Sequence, residues 1–459
     1  MEGGELVPPA RLGSAWAGQS VMRQTWKKGR GERVWPMEPT ACSLPLPDPH
    51  RSVRGDACFL RACSPLKLNA IEPSDCEAKT GACQIVPVGI WFASRAIMPI
   101  LKKQSLEHYL RSRFGPATTL LSYGPIGKES SKGTYKQYGY GSPIKVTFGI
   151  GTLRRHAVLE TMSPGPFGHE HMADRAQAIL WDYESYGRLP RHVKALDVGA
   201  FTSTQTLFSV AKAREFFVLT EWTEGASYHE DLQRLVEGRS LRTLDRRRTR
   251  ALATYLAGIH RRRRRDPPLY RRRLRELIGH GECIMGLTDS YPVPFGFITQ
   301  DVLRALEEAC NQWRWRLRNK THRLSQVHGD FHPWNVLFRT GTDFSVLDRS
   351  RGEWGEPADD VTSMVINYLL LSLCRWRRLH GPFELLFRLF WDTYLEQSGD
   401  EEVMAVAAPF FAFRGLVIAS PVWYPKLPME VRRRIFRFVE NVLGVSCFDP
   451  ARVNEYCGL

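Results

Sequence analysis

The chain has 459 residues, 43% of them hydrophobic with 13 Trp and 23 Phe, which excludes wholesale disorder and suits two or three domains or lobes. Lys and Arg number 64 against 48 Asp and Glu, and the formal net charge of +16 points to an anionic partner: nucleotide, phosphate, nucleic acid or a membrane surface. The 10 cysteines show no CxxC pair and no zinc-type Cys/His spacing, so the plain reading is a reduced, cytoplasmic protein.

In residues 1–97, proline, glycine, serine and isolated charges interrupt every apolar run. The segment reads as a disordered or non-functional extension, translated from an early start codon. IVPVGIWFASRAIMPIL at its end contains Pro87, Arg95 and Pro99 and falls short of the about 20 apolar residues a spanning helix needs, so no membrane partner is expected.

From residue 98 the pattern is that of an ordered domain, and 98–225 reads as a strand-rich N-lobe. Ser105 is placed to cap a helix carrying Leu106, Tyr109 and Leu110, which Gly115 and Pro116 would end. Three strand-like runs follow, TTLLSYG, PIKVTFGIG and HAVLETM. The first two are joined by a segment rich in Gly, Ser and Lys, which includes Gly127, Lys132 and Gly133. Such a segment either cradles phosphates through backbone N–H groups or is simply flexible. EHMADRAQAILWDYESYG predicts a helix with Met172, Ala176, Ile179 and Leu180 on its inner face. FFVLTEW, 216–222, predicts a buried strand, with Thr223-Glu224-Gly225 as a hinge at its end.

Residues 226–459 read as a helical C-lobe. Periodicity predicts helices over 241–264, with Leu252, Tyr255, Leu256 and Ile259 inward, and over 302–317, 361–379 and 384–397. The arginine runs 246–248, 261–265 and 271–273 have few interleaved aromatics and no recognised binding motif. They predict a solvated helix face and loop rather than a nucleic-acid surface.

The chemistry concentrates in HGDFHPWNVLF, from His328, and LDRSRGEWGEPADD, from Leu347. Asp330 and Asn335 have the D-x-x-x-x-N spacing of a kinase catalytic loop, where the aspartate takes the hydroxyl proton and the asparagine holds Mg²⁺. VLF, the turn RTGTD and FSVL predict a β-hairpin with Asn335 just before its first strand and Asp348 just after its second. Those positions are neighbours at the open end, where one hard divalent cation can take an oxygen from each.

HGDFHPWN resembles the H-G-D-x-x-x-x-N signature of the aminoglycoside phosphotransferase and choline kinase-like family, and LDRSRGEWGEPADD resembles its metal-binding segment. The resemblance implies a two-lobed, α+β, protein kinase-like fold. It also implies Mg²⁺, ATP or GTP as donor, and a small-molecule hydroxyl as acceptor. Asp330 would be the base and Asn335 and Asp348 the metal ligands. Gly127, Lys132 and Gly133 would lie at the phosphates, and Glu221 and Thr223 would meet the adenine through the hinge. Asp360 falls in the family's structural continuation, Gly355-x-Pro357-x-x-Asp360.

Two features depart from the family pattern. Arg349-Ser350 follows the metal aspartate, and Glu160 occupies the place of the third-strand lysine, which Lys128, Lys132, Lys136 or Lys145 would have to replace. Glu170 or Asp174 would be that lysine's usual ion-pair partner. Glu160 gives weight to a nucleotide-binding pseudokinase as the alternative reading. The alternation of His328, Asp330 and His332 raises a metal-dependent hydrolase as a third. The acceptor and the oligomeric state are not legible.

Overall fold

KQSLEHYLRSRF forms helix α1 (Lys103–Phe114), which buries Leu106 and Leu110 and ends at Gly115, whose φ of +104° favours glycine. The structure is a computed structural model and describes residues 100–126, 141, 143–165, 167–188, 190–349 and 351–459. The expected N-terminal extension therefore lies outside the described residues. Helix α1 starts at an N-cap of Lys102 rather than at Ser105. Ser105 Oγ instead donates to the carbonyl of Gln205 (3.0 Å) and accepts from the N–H of Leu207 (3.2 Å), fastening the helix to a hairpin 100 residues on.

Strands β1 (Thr118–Pro125), β2 (Ile144–Ile150) and β3 (Leu153–Leu159) make an antiparallel sheet in that order. Val146 and Phe148 of β2 pack on Leu106 and Leu110 of α1. The third strand begins earlier than HAVLETM, because Gly151 at φ +59° makes a tight turn with Thr152 and β3 starts directly after it. Glu160 consequently falls just past the strand end and is exposed.

Helix α2 (Met172–Ser185) forms where expected but buries no residue, and Met172 is 77% exposed. Of the predicted inner face, Met172 and Ala176 are exposed and Ile179 and Leu180 are half-buried. A short hairpin of β4 (Gly199–Phe201) and β5 (Leu207–Ser209) follows, unannounced in the sequence reading. FFVLTEW is not a buried strand: 216–222 pairs with no strand, and Phe217 is 91% and Leu219 90% exposed. An apolar run specifies a wish for burial but not a ladder partner, and the sheet among the described residues stops at β3.

Beyond Gly225 come β6 (Ala226–Ser227), α3 (Tyr228–Val236), α4 (Thr243–His260), α5 (Pro267–Gly279), α6 (Ile284–Ser290) and α7 (Gln300–Leu317). Then follow β7 (Ser325–Gln326), β8 (Val336–Phe338), β9 (Phe344–Val346), β10 (Trp354–Gly355), α8 (Pro357–Trp376), α9 (Gly381–Ser398), α10 (Ala408–Ala419), α11 (Met429–Gly444) and α12 (Val453–Tyr456). Helix α8 is buried almost all round and packs against α3, α4, α9, α10 and α11. Leu252 and Leu256 of α4 are fully buried in this core, each worth about 1.5–3 kcal/mol.

Most arginines of the three runs are exposed, as predicted, and Arg248 and Arg272 are the buried exceptions. Arg248 is buried, donates to Asp231 (2.5 Å) and to the carbonyls of Arg339 and Gly341, and lies over the Phe338 ring. Arg272 on α5 is buried against Glu276, Glu170 and Asp174, so the two acids expected to meet a lysine meet an arginine of the helical part. These arginines are fasteners of tertiary structure. Among the described residues no helix is long and apolar enough to cross a membrane.

Candidate active site

Val327 leaves β7 with its N–H bonded to the carbonyl of Glu353 (3.0 Å), and the next three residues turn sharply. Gly329 sits at φ +89°, and a Cβ there would meet the Cβ of Arg351 at 3.0 Å, so both conformation and space call for glycine. The N–H groups of His328 and Gly329 donate to the two carboxylate oxygens of Asp360, each at 2.7 Å. His260 Nε2 lies 3.1 Å from the same carboxylate, and its Nδ1 is 2.9 Å from the hydroxyl of Tyr394. Asp360, in the first turn of α8, thus clamps the loop from beneath. Burial opposes its ionisation, but His260, the charge of His328 and the His328 N–H lower its pKa below the usual carboxylate value.

Asp330 is buried and held at one oxygen, with Arg414 Nη1 of α10 donating to Oδ1 at 2.6 Å. Its Oδ2 faces His332 Nε2 at 3.5 Å. Arg414 also donates to the carbonyl of Gly329 and to Asp359 Oδ1 (2.6 Å), so one guanidinium spans both carboxylates and the loop backbone. Desolvation would raise the Asp330 pKa, but His332, Arg414 and Arg351 together hold it well below the ordinary range. For Asp359 burial wins, and its carboxyl is pushed up despite Arg414 and Arg351.

The predicted hairpin is present. Strands β8 and β9 pair antiparallel with Val336 opposite Val346, and the N–H of Leu347 donates to the carbonyl of Asn335 at 2.9 Å. That bond closes the open end, with Asn335 on the last rung and Asp348 one residue past it on the other strand. Asn335 Nδ2 donates to the carbonyl of Asp330 (3.0 Å), which orients the amide with its Oδ1 free to accept. Asp348 is exposed, with left-handed backbone at φ +55°, and among the described residues it makes no hydrogen bond or ion pair. One amide oxygen and one carboxylate are the donors a hard divalent cation such as Mg²⁺ takes, with water and phosphate filling the rest. The residues present fit that group.

The hydrolase arrangement does not assemble. His328 Nδ1 accepts from the N–H of Asp330 (3.3 Å), and among the described residues no group of three or more His, Cys, Asp or Glu is arranged to hold a metal. Of the nucleotide-side residues, Gly127, Lys132 and Gly133 lie outside the described residues. Glu221 is exposed in the unpaired segment, and no contact brings it to the loop. Thr223 is half-buried, two residues before Gly225, where a Cβ would meet the Leu337 Cβ at 2.9 Å. Ala226 and Ser227 then pair with Phe338 and Leu337, so the predicted hinge is stitched to the hairpin that carries Asn335.

Sequence reading missed Arg414, Arg351 and His260. Arg414 in FFAFRGLVIA is the one charge in an apolar helix, a signal that it is buried against acid. The other two carried no comparable mark.

Residues 199–385 match the model of the "Phosphotransferase enzyme family", a span that contains the loop, the hairpin and Asp360. The resemblance read from the two motifs is borne out over that span. The expected α+β order is also present: antiparallel sheet, helix, a run of helices from α3 to α7, the Asp330 loop, the hairpin, then further helices. No curated protein matches the chain. Among solved structures, a glucosamine kinase in complex with glucosamine, ADP and inorganic phosphate is 20% identical over 44% of this chain and 56% of its own, with a TM-score of 0.28. The chain therefore spans little more than half the length of that kinase. A choline kinase from Cryptosporidium parvum is 11% identical over 75% of this chain and 87% of its own, with a TM-score of 0.27. An amicoumacin kinase in complex with AMP-PNP and Ca²⁺ is 13% identical over 74% of this chain and 92% of its own, with a TM-score of 0.32.

Proposed function

We propose that this chain is a cytoplasmic, Mg²⁺-dependent phosphotransferase that moves the γ-phosphate of ATP or GTP to a hydroxyl of a small molecule. The observation that carries the reading is the closed hairpin: the N–H of Leu347, the residue before Asp348, meets the carbonyl of Asn335 at 2.9 Å, and the Asn335 amide is tied to Asp330 at 3.0 Å. Phosphoryl transfer asks little covalent work of a protein and much positioning. Asp330 would accept the acceptor's proton at Oδ2, the oxygen that Arg414 leaves clear. Asn335 and Asp348 would hold Mg²⁺, which when bound neutralises charge on the nucleotide phosphates. Thr223 and Gly225 would pass beside the base of the nucleotide, and the segment with Gly127, Lys132 and Gly133 would supply N–H groups and charge to its phosphates.

A second reading, a nucleotide-binding pseudokinase, is favoured by two observations. Arg414 holds Asp330 in its ionised form, which weakens it as a base. Glu160 stands at the end of β3 in place of a lysine. Purified protein is to be given Mg-ATP or Mg-GTP with a panel of hydroxyl compounds, and phosphate transfer followed beside nucleotide binding. Transfer that disappears in Asp330→Ala, by about 10²–10⁴-fold, with nucleotide affinity retained, supports the kinase. Binding without transfer to any acceptor supports the pseudokinase.

A further inference from the structure

Two arginines stand by Asp330, and they differ in what they hold. Arg414 is spent on acids, with Asp330 and Asp359 each at 2.6 Å. Arg351 has no acidic partner within 4.0 Å among the described residues. Its Cβ packs against Gly329, one residue before the base. Its guanidinium lies 4.7 Å from the centre of the Phe413 ring, which also carries Arg414 at 4.6 Å. Nη1 reaches only the thiol of Cys283, a weak acceptor, at 3.1 Å, and Nε is buried with no hydrogen-bond partner. A half-buried cation with an unanswered donor is costly, and such groups are normally satisfied. Arg349, two residues earlier, has its guanidinium answered by the carbonyls of Val327 and Glu353.

The surroundings of Arg351 are the helical side of the loop: the N-cap of α6 at Cys283 and α10 at Phe413 and Arg414. Its charge acts on the carboxyls of Asp330 and Asp359 and on the Cys283 thiol, which burial pushes up to about 11. A cationic acceptor would need carboxylate charge to spare here, and both nearby carboxylates already have Arg414 on one oxygen.

From this arrangement we infer that Arg351 recognises the acceptor, and that the acceptor is a hydroxyl compound bearing an anionic group, a carboxylate or a phosphate. The inference rests on the phosphotransferase reading and names its substrate class. An arginine presents a planar fork of donors matched to either anion, and here the fork stands within reach of the loop that holds the base.

The test gives the full chain Mg-ATP and matched acceptor pairs: glycerate with methyl glycerate, glycerol 3-phosphate with glycerol, and a wider set of hydroxy acids and sugar phosphates with their esters or parent sugars. Aminoglycosides and choline serve as cationic members. Wild type, R351Q and R351K are compared. The expected result is transfer favouring the charged member of a pair. R351Q should lower kcat/KM for that member about 10- to 100-fold, mainly through KM, with part of the loss regained in R351K. Preference for uncharged or cationic acceptors overturns the inference and leaves the kinase reading standing. An equal fall in kcat for both members also overturns it, and assigns Arg351 to the transferred phosphoryl group. Thermal shift without nucleotide separates the two readings. If charged compounds stabilise wild type but not R351Q and none is phosphorylated, the kinase reading falls and the anion site stands. If no charged compound stabilises wild type or is phosphorylated, the inference falls.

Discussion

The loop at Asp330 and the segment at 216–222 are built in opposite ways. Around Asp330 the backbone is answered at several points, two N–H groups by Asp360, one carboxylate oxygen and one carbonyl by Arg414 and one amide by the loop itself, while among the described residues His328 Nε2, His332 Nδ1 and Arg351 Nε are buried without a partner. Along 216–222 most side chains are apolar, yet they stand exposed and without a strand partner among the described residues. Helix α2 likewise has no fully buried residue, and Asp174 on it and Glu170 just before it are held by Arg272. The denser hydrogen bonding is concentrated where the proposed base, Asp330, would have to accept a proton in one geometry. The side expected to admit a nucleotide is tied by few contacts, which is the character of segments that open and close.

That contrast can be broken most severely at Asp360. Asp360→Ala leaves two buried N–H groups and His260 without an acceptor, and should cost about 3–5 kcal/mol in urea unfolding. A loss below 1 kcal/mol would mean that the loop is not clamped from beneath. Asp348→Ala should weaken Mg²⁺-nucleotide binding by about 10- to 100-fold with little change in unfolding, since this carboxylate supports nothing else in the fold. Calorimetric titration giving wild-type affinity would remove Asp348 from the metal site.

The pH profile sharpens the comparison further. The folded pKa of Asp330 is depressed, so the stability it contributes is present above the ordinary value of about 4 and drains as pH falls toward the folded value. The same shift keeps the base ionised throughout that range. Arg414→Gln removes the neighbouring cation and should move the acid limb of kcat/KM up by about 1 unit or more. An unmoved limb would show that Asp330 does not set it. Phe217→Ser should be the mildest change, within about 0.5 kcal/mol, because the ring is already in water. A fall of several degrees in Tm would instead place that ring in a packed interface.

What the sequence determined by itself is local. D-x-x-x-x-N, the VLF and FSV strands with their turn, and Asp348 all fall within about 20 residues, where chain stereochemistry alone decides which groups meet. Four helices of the C-terminal part, α4, α7, α8 and α9, were equally legible, since a 3.6-residue apolar period is a property of the segment itself, whereas α3, α5, α6, α10, α11 and α12 were not predicted. Tertiary structure decided the rest. Arg414 reaches Asp330 across 84 positions and His260 reaches Asp360 across 100, and no spacing rule links such residues. The same holds for Glu170 and Asp174, whose partner proved to be Arg272, and for 216–222, whose apolar character asked for a neighbour that only the packed chain could supply or withhold. Charge and hydrophobicity state what a residue requires, and the folded chain settles which distant group meets the requirement.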